Sequence, residues 1–266
     1  MIVAEQEGAV VGVECVALTD VRVNGTSCTA GYSSNTRVQP GVQRRRLGTE
    51  LILAGERWAE AQGASYMTGF IKTTNTPSMK MVTALGWETV ARFDYLVLDL
   101  ARFDGIAAPR AVRFDLHQDP RLLGLRTAAV RAHHFVPLFL EKELFAPAPE
   151  GSYAGSYTAS TRHGTAWLSL WDDRAARGLD PATFCVVKAF DLVLEGNQAL
   201  NAFAGLVRVL RASGIRQLLV PLPAESYARA LLGPYASDLV DMNFVVKRFD
   251  GRPVIDPGPI YFDIRH

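Results

Sequence analysis

The order of secondary-structure signals repeats along the chain, and this repeat constrains the fold more than any other feature. Signals for strand, helix, strand, short helix and strand follow one another from about residue 32 to residue 100, and the order returns from about residue 184 to residue 249. Such a repeat indicates two copies of one structural unit. Strands that alternate with helices favour a sheet with helices packed against it. The chain is therefore predicted to be α/β, with a central mixed β-sheet flanked by helices in each of two tandem units.

Hydrophobic spacing and turn residues define the first copy. Residues 2–4 and 9–18 are β-prone and are separated by Glu7-Gly8, which predicts a hairpin, and a further strand leads into Val38. From residue 47 the apolar period becomes helical, and the predicted buried stripe is Leu47, Leu51, Ala54, Trp58 and Ala61. The polar residues of the same helix are expected to face water: Thr49, Glu50, Glu56, Arg57 and Glu60. Gly63 supplies a stop.

The first copy is completed by a strand, a short helix and a closing strand. Residues 65–71 predict the strand. Asn75 is the expected N-cap of the short helix, because Pro77 then falls in the first turn, where its missing N–H costs nothing. Met81, Val82 and Leu85 would form the buried face of this helix, and residues 90–100 predict the closing strand.

The second copy shows the same order with different residues. Residues 166–171, 184–190, 215–220 and 242–249 predict strands, and residues 224–232 predict a helix. The longer helix has a buried stripe of Phe203, Leu206, Val207 and Leu210 and ends at Gly214. We expect the join in the Pro- and Gly-containing stretch at 104–113, which gives domains at 1–103 and 116–266.

The charge balance narrows the classes of partner. Lys and Arg total 28 against 27 acidic residues, a formal net charge of +1, whereas a general nucleic-acid binder carries a stronger basic excess. No apolar run approaches the roughly 20 residues of a membrane span, and the first residues lack signal-peptide features. We therefore expect no nucleic-acid partner, no membrane association and a cytoplasmic location.

The cysteines give no sign of a disulfide framework or of a metal site. Cys15, Cys28 and Cys185 are odd in number and form no CxxC pair, which fits a reducing compartment. We interpret each as a small buried residue rather than as a nucleophile. In the same setting, Asn24-Gly25-Thr26 is interpreted as a tight hairpin turn rather than as a glycan acceptor.

Three consecutive arginines precede the first long helix, in the segment VQPGVQRRRLGTELI at 38–52. A helix start presents unbonded N–H groups and the positive end of the macrodipole, so it suits an anion, and a glycine there lets the backbone approach a ligand. The segment lacks the GxxxxGK[ST] and GxGxxG motifs. A pyrophosphate site, a solvated basic turn and a strip for nucleic acid all remain open on these residues alone.

Two segments at the right separation resemble a known family. Val38-Gln39-Pro40, followed by Gln43 to Gly48, resembles motif A of the GNAT superfamily of acyl-CoA N-acyltransferases, in which Val-x-Pro precedes Arg/Gln-x-x-Gly-x-Gly/Ala at the start of a long helix. Asn75-Thr76-Pro77-Ser78, followed by Leu85-Gly86-Trp87, is similar to the Asn-x-x-Ser/Ala and Leu-Gly-Phe elements of motif B. The resemblance covers about residues 1–100.

The resemblance implies a function and a set of binding residues. The chain would move an acetyl or other acyl group from CoA, with acetyl-CoA as the expected cosubstrate and no metal, to a small-molecule amine by direct attack in a ternary complex. The implied cofactor-binding residues are Val38, Gln43, Arg44, Arg45, Arg46, Leu47, Gly48, Thr49, Asn75 and Ser78. The alternative is a catalytically inactive GNAT-like binding or assembly module that keeps the fold and CoA binding. A homodimer is also left open.

The sequence departs from the family pattern in three places. Arg46 stands where motif A has its middle glycine. Val82 stands where many members carry a tyrosine that protonates the departing thiolate, so the catalytic acid, like the base, is not identified. The family's first strand and two opening helices have no counterpart before Met1, which predicts either that the native start lies upstream or that the second unit supplies those surfaces.

The second unit resembles a degenerate copy. Residues 122–144 are expected to form its opening helices. Asp191 and Glu195 are predicted to stand where the first unit has its arginines, and carboxylates there would repel a pyrophosphate. We therefore expect no CoA in this unit, which would wall the acceptor cleft or mediate assembly.

Several other side chains are further candidates for site residues. Glu14 is either a general base on a strand that faces the cleft or an outward carboxylate, and Ser34 and Asn35 either bind the acceptor or face solvent. Three pairs are given structural interpretations. His133 and His134 are expected on a helix surface, Asp172 and Asp173 in a turn, and Trp167 and Trp171 in the core.

Overall fold

The computed structural model describes residues 1–109, 111–115, 135–138, 152–172, 174, 180 and 186–251. These residues form an α/β fold in which the predicted strand–helix–strand–helix–strand order occurs twice. The strands are β1 (Ile2–Gln6), β2 (Ala9–Val23), β3 (Thr26–Val38), β4 (Tyr66–Lys72), β5 (Glu88–Asp99), β6 (Val112–Asp115), β7 (Phe135–Leu138), β8 (Ser152–Ser160), β9 (Thr165–Asp172), β10 (Val186–Glu195), β11 (Gln217–Pro223) and β12 (Ala236–Arg248). The described helices are α1 (Leu47–Ala61), α2 (Thr76–Ala84), α3 (Ala199–Ala212) and α4 (Tyr227–Leu232). We call β1–β5 with α1 and α2 the first unit, and β8–β12 with α3 and α4 the second unit.

The described strands belong to one mixed sheet that runs through both units. Eleven of them follow the order β1-β2-β3-β4-β12-β5-β11-β10-β9-β8-β6, and β7 pairs with the far end of β2. The order is symmetric about the middle of the sheet. The pairs β3–β4 and β10–β11 are parallel, and the other pairs are antiparallel. The mixed sheet with flanking helices confirms the predicted fold class.

The closing strands of the two units are exchanged. β12, which ends the second unit, lies between β4 and β5 of the first unit, and β5 in turn pairs with β11. Phe244 of β12 is fully buried against Phe70 of β4 and Phe93 of β5, with ring centroids 5.0 and 6.3 Å away. Phe244 of the second unit is therefore part of a core cluster of the first unit.

Local turn chemistry explains the strand connections. Glu7 and Gly8 have φ of 54° and 79°, and Asn24 and Gly25 have φ of 49° and 82°. Two consecutive residues with positive φ form the hairpin turn whose twist matches antiparallel strands. Both predicted hairpin turns are therefore confirmed, and the second one makes β3 begin at Thr26 rather than near Tyr32.

Helix α1 buries a different stripe from the one predicted. Its buried residues are Leu51, Ile52, Gly55, Glu56 and Ala59, while Trp58 is 41% exposed. The prediction that Glu56 faces water was wrong, because its carboxylate accepts a hydrogen bond from Trp87 Nε1 at 2.7 Å and pairs with Lys247 Nζ at 2.5 Å. Lys247 comes from β12, so the exchanged strand brings the cation that makes this burial tolerable.

The second unit holds the larger core, and its predicted helical stripe is confirmed. Phe203, Leu206, Val207 and Leu210 of α3 are all at most 2% exposed and pack on the leucines of β5, β9 and β11. Helix α4 starts at Tyr227 rather than at Ala224, because Ser226 caps it by accepting a hydrogen bond from the Arg229 backbone N–H at 3.2 Å.

The opening helices predicted for 122–144 are wrong at residues 135–138, which form strand β7 beside β2. The remainder of that prediction lies outside the described residues. Of the helices that the structure describes, none is both long enough and apolar enough to cross a membrane.

Candidate functional site

A cavity of about 820 Å³ opens where β3 and β4 diverge. Their parallel pairing ends at Ser33 and Gly69, after which β3 continues to Val38 and β4 to Lys72. Diverging strands leave backbone N–H and C=O groups facing the gap, where an extended ligand can pair with them. The cavity walls come from β3, β4, α1, α2 and the exchanged strand β12.

The arginine turn forms one end of this cavity. A 3-10 turn, Pro40–Val42, follows β3, and Gln43 Nε2 donates a hydrogen bond to the Val38 carbonyl at 3.0 Å. Arg44 and Arg46 both have φ of 64°, in the left-handed region that side chains disfavour. Strained backbone of this kind is concentrated at binding sites, where alternating N–H directions form anion-binding concavities.

Helix α1 begins at Leu47 with free N–H groups directed at this end of the cavity. The first intrahelical bond is donated by Glu50 to the Arg46 carbonyl at 3.0 Å, and within the described chain the N–H groups of residues 47–49 have no acceptor. No ion pair formed by the described residues uses Arg44, Arg45 or Arg46. Unbonded N–H groups, the positive end of the helix dipole and guanidinium groups are the features that attract anions in proteins.

The start of α2 and an apolar wall complete the cavity. Asn75 Oδ1 accepts a hydrogen bond from the Ser78 N–H at 3.3 Å, so the predicted N-cap is confirmed, with Pro77 in the first turn. Part of the cavity wall is formed by large apolar residues: Ile52, Met81, Val82, Trp87 and Val245. Such a lining suits a flexible chain with few charges.

All but one of the residues predicted to bind the cofactor line this single cavity. Those that line it are Val38, Gln43, Arg44, Arg46, Leu47, Gly48, Thr49, Asn75 and Ser78. Arg45 is exposed and lies outside the cavity wall. The structure also brings Ser34 and Asn35 to the wall.

Sequence reasoning missed part of the wall. Ser33 and Thr36 lie beside the two strand residues that were considered, but a β-bulge changes which side chains face inward, and a bulge is not readable from alternation. Met242 and Val245 come from β12, more than 150 positions further along the chain, and only the strand exchange brings them here.

Glu14 is buried rather than outward-facing, so the outward interpretation was wrong. Its side chain is fully inaccessible, Oε1 accepts a hydrogen bond from Ser33 Oγ at 2.6 Å, and Oε2 accepts one from Thr36 Oγ1. Burial raises the pKa of this carboxyl, and the two hydroxyl donors partly oppose that shift. Glu14 thus lies behind two residues of the cavity wall, whose hydroxyl groups donate to it.

The corresponding helix start in the second unit is closed by the chain itself. The β8–β9 turn packs onto the beginning of α3, where the Gln198 N–H donates to the His163 carbonyl at 3.2 Å. A Cβ on Gly164 would lie 2.5 Å from the Ala199 nitrogen, which shows how closely the two segments approach. The prediction that Asp191 and Glu195 replace the arginines was wrong in position, because both belong to β10.

The other candidate residues have structural roles or lie outside the described residues. Asp172 accepts hydrogen bonds from the Arg174 backbone and guanidinium, which hold the pKa of its carboxyl below the usual range. Trp167 and Trp171 are buried, as the core interpretation predicted, and Cys15 and Cys28 are partly buried and free. His133, His134, Asp173 and Cys185 are not described. Across the described ranges, no group of three metal-binding side chains converges.

A sequence comparison matches residues 1–87 to the acetyltransferase (GNAT) family. The matched segment contains the arginine turn, α1, the start of α2 and most of the cavity wall. None of the curated proteins with which the chain was compared matches it.

Solved structures of acyltransferases share the fold across almost the whole chain. A GCN5-related N-acetyltransferase from Kribbella flavida superposes with a TM-score of 0.53 at 15% identity, covering 92% of this chain and 58% of its own. Saccharomyces cerevisiae N-myristoyltransferase with bound myristoyl-CoA gives 0.56 at 9% identity, covering 90% and 67%. A tandem GNAT protein from the clavulanic acid biosynthesis pathway gives 0.55 at 14% identity, covering 94% and 82%. The chain thus spans about three fifths of the Kribbella structure, and these identities establish likeness of fold.

Proposed function

Because the chain carries a domain of the acetyltransferase (GNAT) family in residues 1–87, we propose that it transfers an acyl group from acyl-CoA to the amine of a small molecule. The observation that carries the proposal is the cavity at the start of α1, where unbonded N–H groups and unpaired arginines meet an apolar channel. Acyl-CoA would fit this cavity with its diphosphate at the charged end and its pantetheine arm in the apolar channel. Acetyl-CoA is the proposed donor.

The residues of the first unit fit acyl-CoA in kind and in order. The N–H groups of Leu47, Gly48 and Thr49 would donate hydrogen bonds to the diphosphate, with Arg44 and Arg46 supplying charge. The unpaired edge of β3 between Ser33 and Val38 offers backbone groups for the amide-containing arm. The apolar wall excludes water around the thioester, which supplies the activated acyl group.

Catalysis would come chiefly from positioning. Holding the amine and the thioester in one cavity converts a bimolecular reaction into an effectively unimolecular one, which is worth several kcal/mol of barrier. Backbone N–H groups at the divergence of β3 and β4 are placed to stabilise negative charge on the carbonyl oxygen. The second unit contributes to the same cavity through Met242 and Val245.

One observation favours a second candidate, a protein that binds acyl-CoA without transferring the acyl group. Val82 is 3% exposed and lines the cavity, and it cannot donate a proton to a departing thiolate. No tyrosine of the described chain lines the cavity either. If the chain does transfer the acyl group, we propose that the hydroxyl of Ser78 donates the proton to the departing thiolate, since Ser78 lies at the start of α2 on the cavity wall.

Isothermal titration of acetyl-CoA into Gly48→Asp tests the binding proposal. A Cβ at residue 48 would lie 3.5 Å from Met81 Sδ, an ordinary contact, and an acidic residue in the first turn of a helix is favourable, so the variant should fold. Repulsion of the diphosphate should weaken binding by at least about tenfold, on the order of 1.4 kcal/mol.

Gly41→Asp is the matched control. The aspartate adds the same negative charge on the neighbouring 3-10 turn. A Cβ built on residue 41 has nothing within 4 Å, and residue 41 is outside the cavity wall. Equal loss in both variants, or no heat with the wild type, would contradict the proposed site. Release of free thiol in the presence of amines then separates transfer from binding alone.

A further inference from the structure

The two units carry the same β-bulge, and they differ in what is buried beneath it. In β3, Asn35 has φ of 55° at a register shift opposite Glu14, and in β10, Asp191 has φ of 52° at a register shift opposite Leu168. This pairing aligns the units residue by residue across the bulge. The carboxylate of the first unit therefore corresponds to a leucine in the second.

The side chains that contact Glu14 are also replaced by apolar ones. Ser33 corresponds to Ala189, which is 1% exposed, and Thr36 corresponds to Leu192, which packs on the second unit's core. The bulge thus forms over an alanine and two leucines in one unit and over a hydrogen-bonded acid in the other. Because the backbone needs no carboxylate there, and burying one is unfavourable, the acid is not explained by the fold.

The buried acid also lacks the cation that buried charges usually have. Glu56, the other buried glutamate of α1 and β2, is paired with Lys247 at 2.5 Å. Glu14 forms no ion pair with any residue that the structure describes. The charged side chains that line the cavity are Arg44, Arg46 and Lys72, so no carboxylate of the described chain lies on its wall. Among the described residues, two buried acids therefore contact residues of the wall: Glu56, which bonds to Trp87 and is neutralised by Lys247, and Glu14, which bonds to Ser33 and Thr36.

The hydroxyls of Ser33 and Thr36 have a fixed polarity. Each has one proton, and each donates it to a different oxygen of Glu14. A hydroxyl whose proton is engaged can only accept hydrogen bonds with its remaining lone pairs. Both hydroxyls belong to residues of the cavity wall, so this part of the wall accepts N–H donors and is backed by a negative charge.

We propose that Ser33 and Thr36, oriented by Glu14, bind the ammonium group of the acceptor, and that Glu14 is the counter-ion that this ammonium group pairs with. The inference rests on the proposed function and specifies its acceptor as a primary amine that binds in its protonated form. Ser33 and Thr36 contact the acceptor, and Glu14 is a positioning residue that acts through them. The opposite end of the same cavity, with Arg44 and Arg46, receives the anionic donor.

Threonine-methyl NMR can report on both ends of the cavity separately. Thr36 lies at the proposed ammonium site, and Thr49 lies at the start of α1, where the diphosphate is proposed to bind. Ethylammonium chloride is the probe, and tetramethylammonium chloride at equal concentration is the control, because it has the same charge and no N–H donor. Thr36→Ser and Thr49→Ser variants assign the two resonances.

We expect ethylammonium to shift the Thr36 methyl resonance saturably, and tetramethylammonium to leave it nearly unchanged. In Glu14→Leu, which installs the residue found in the second unit, the ethylammonium shift should disappear while acetyl-CoA still shifts Thr49. Glu14→Leu with Ser33→Ala is the second variant, because it reproduces the packing of Leu168 and Ala189 should the single change fail to fold. A merely structural role for Glu14 would not discriminate between the two ammonium ions.

The outcomes separate the two proposals. If acetyl-CoA shifts Thr49 and ethylammonium leaves Thr36 unmoved, or shifts it no more than tetramethylammonium does, the ammonium site is wrong while the donor site stands. If acetyl-CoA leaves Thr49 unmoved, the proposed function fails. An ethylammonium shift that persists in the Glu14→Leu variant would also overturn the assignment to Glu14.

Discussion

Replacing Arg46 with glycine should stabilise the fold slightly and weaken acetyl-CoA binding. Stability and binding should therefore change in opposite directions. Arg46 has φ of 64° and caps α1 without a side-chain hydrogen bond. A left-handed conformation costs an L-residue about 1–2 kcal/mol, which glycine does not lose. The greater freedom of glycine in the unfolded chain acts in the opposite direction and destabilises the variant by about 0.5–1 kcal/mol. We therefore expect a net gain of about 0–1.5 kcal/mol in the free energy of unfolding.

Binding should change in the other direction. The Arg46 guanidinium lines the cavity and is exposed, so its attraction for a diphosphate is screened by water. Losing one screened, charge-assisted contact should weaken acetyl-CoA binding by roughly two- to tenfold. Urea unfolding at unchanged m-value measures the first effect, and isothermal titration measures the second.

Arg45→Gly is the matched control, because it removes the same charge from the adjacent residue. Arg45 is exposed, has no positive φ and lies outside the cavity wall. This variant should lose about 0.5–1 kcal/mol of stability, since no strain is relieved, and should bind acetyl-CoA nearly as well as the wild type. If Arg46→Gly is the less stable of the two, or if both weaken binding equally, our reasoning about the left-handed turn is refuted.

Two further predictions concern buried ionisable groups. Lys247→Met should lower the free energy of unfolding, measured with urea, by about 3–5 kcal/mol, because it leaves the buried Glu56 without its cation. Arg248→Met is the control and should lower it by at most about 1 kcal/mol, because its partner Asp250 is exposed. Equal losses would contradict the role given to the exchanged strand. Burial raises the pKa of Tyr32 to about 12, so the folded state keeps a proton that the unfolded chain loses from about pH 10, and stability should fall between these values by up to about 1.4 kcal/mol per pH unit. Tyr32→Phe should make the fall in stability above pH 10 shallower without abolishing it, because burial also raises the pKa of Tyr95, and an unchanged slope would count against the burial effect.

Features that depend on neighbours in sequence could be predicted from the sequence. The turns at Glu7-Gly8 and Asn24-Gly25 require positive φ at two consecutive residues, which Gly8, Asn24 and Gly25 tolerate, and both turns formed. The cap at Asn75 likewise needs only a residue three positions further on. The start of α1 beside the arginines was predictable for a similar reason, since the helical spacing begins at Leu47 and the flanking charges are local.

Features that depend on distant segments could not be predicted in this way. Glu56 is buried because Lys247 is supplied by a strand some 190 residues later, and no property of α1 encodes that partner. The cavity wall at Met242 and Val245 depends on the same strand exchange. The hydrogen bonds that Ser33 and Thr36 both donate to Glu14 could not be predicted either, because residues three apart face opposite sides of a regular strand, and here a register shift in the β2–β3 pair lies between them.

The position of the donor's diphosphate is the most direct test of the central claim. A crystal structure with acetyl-CoA should show diphosphate oxygens within hydrogen-bond distance of the N–H groups of Leu47, Gly48 and Thr49, with the acyl end near Ser33. A complex with the diphosphate bound elsewhere, and with these N–H groups facing only water, would contradict it.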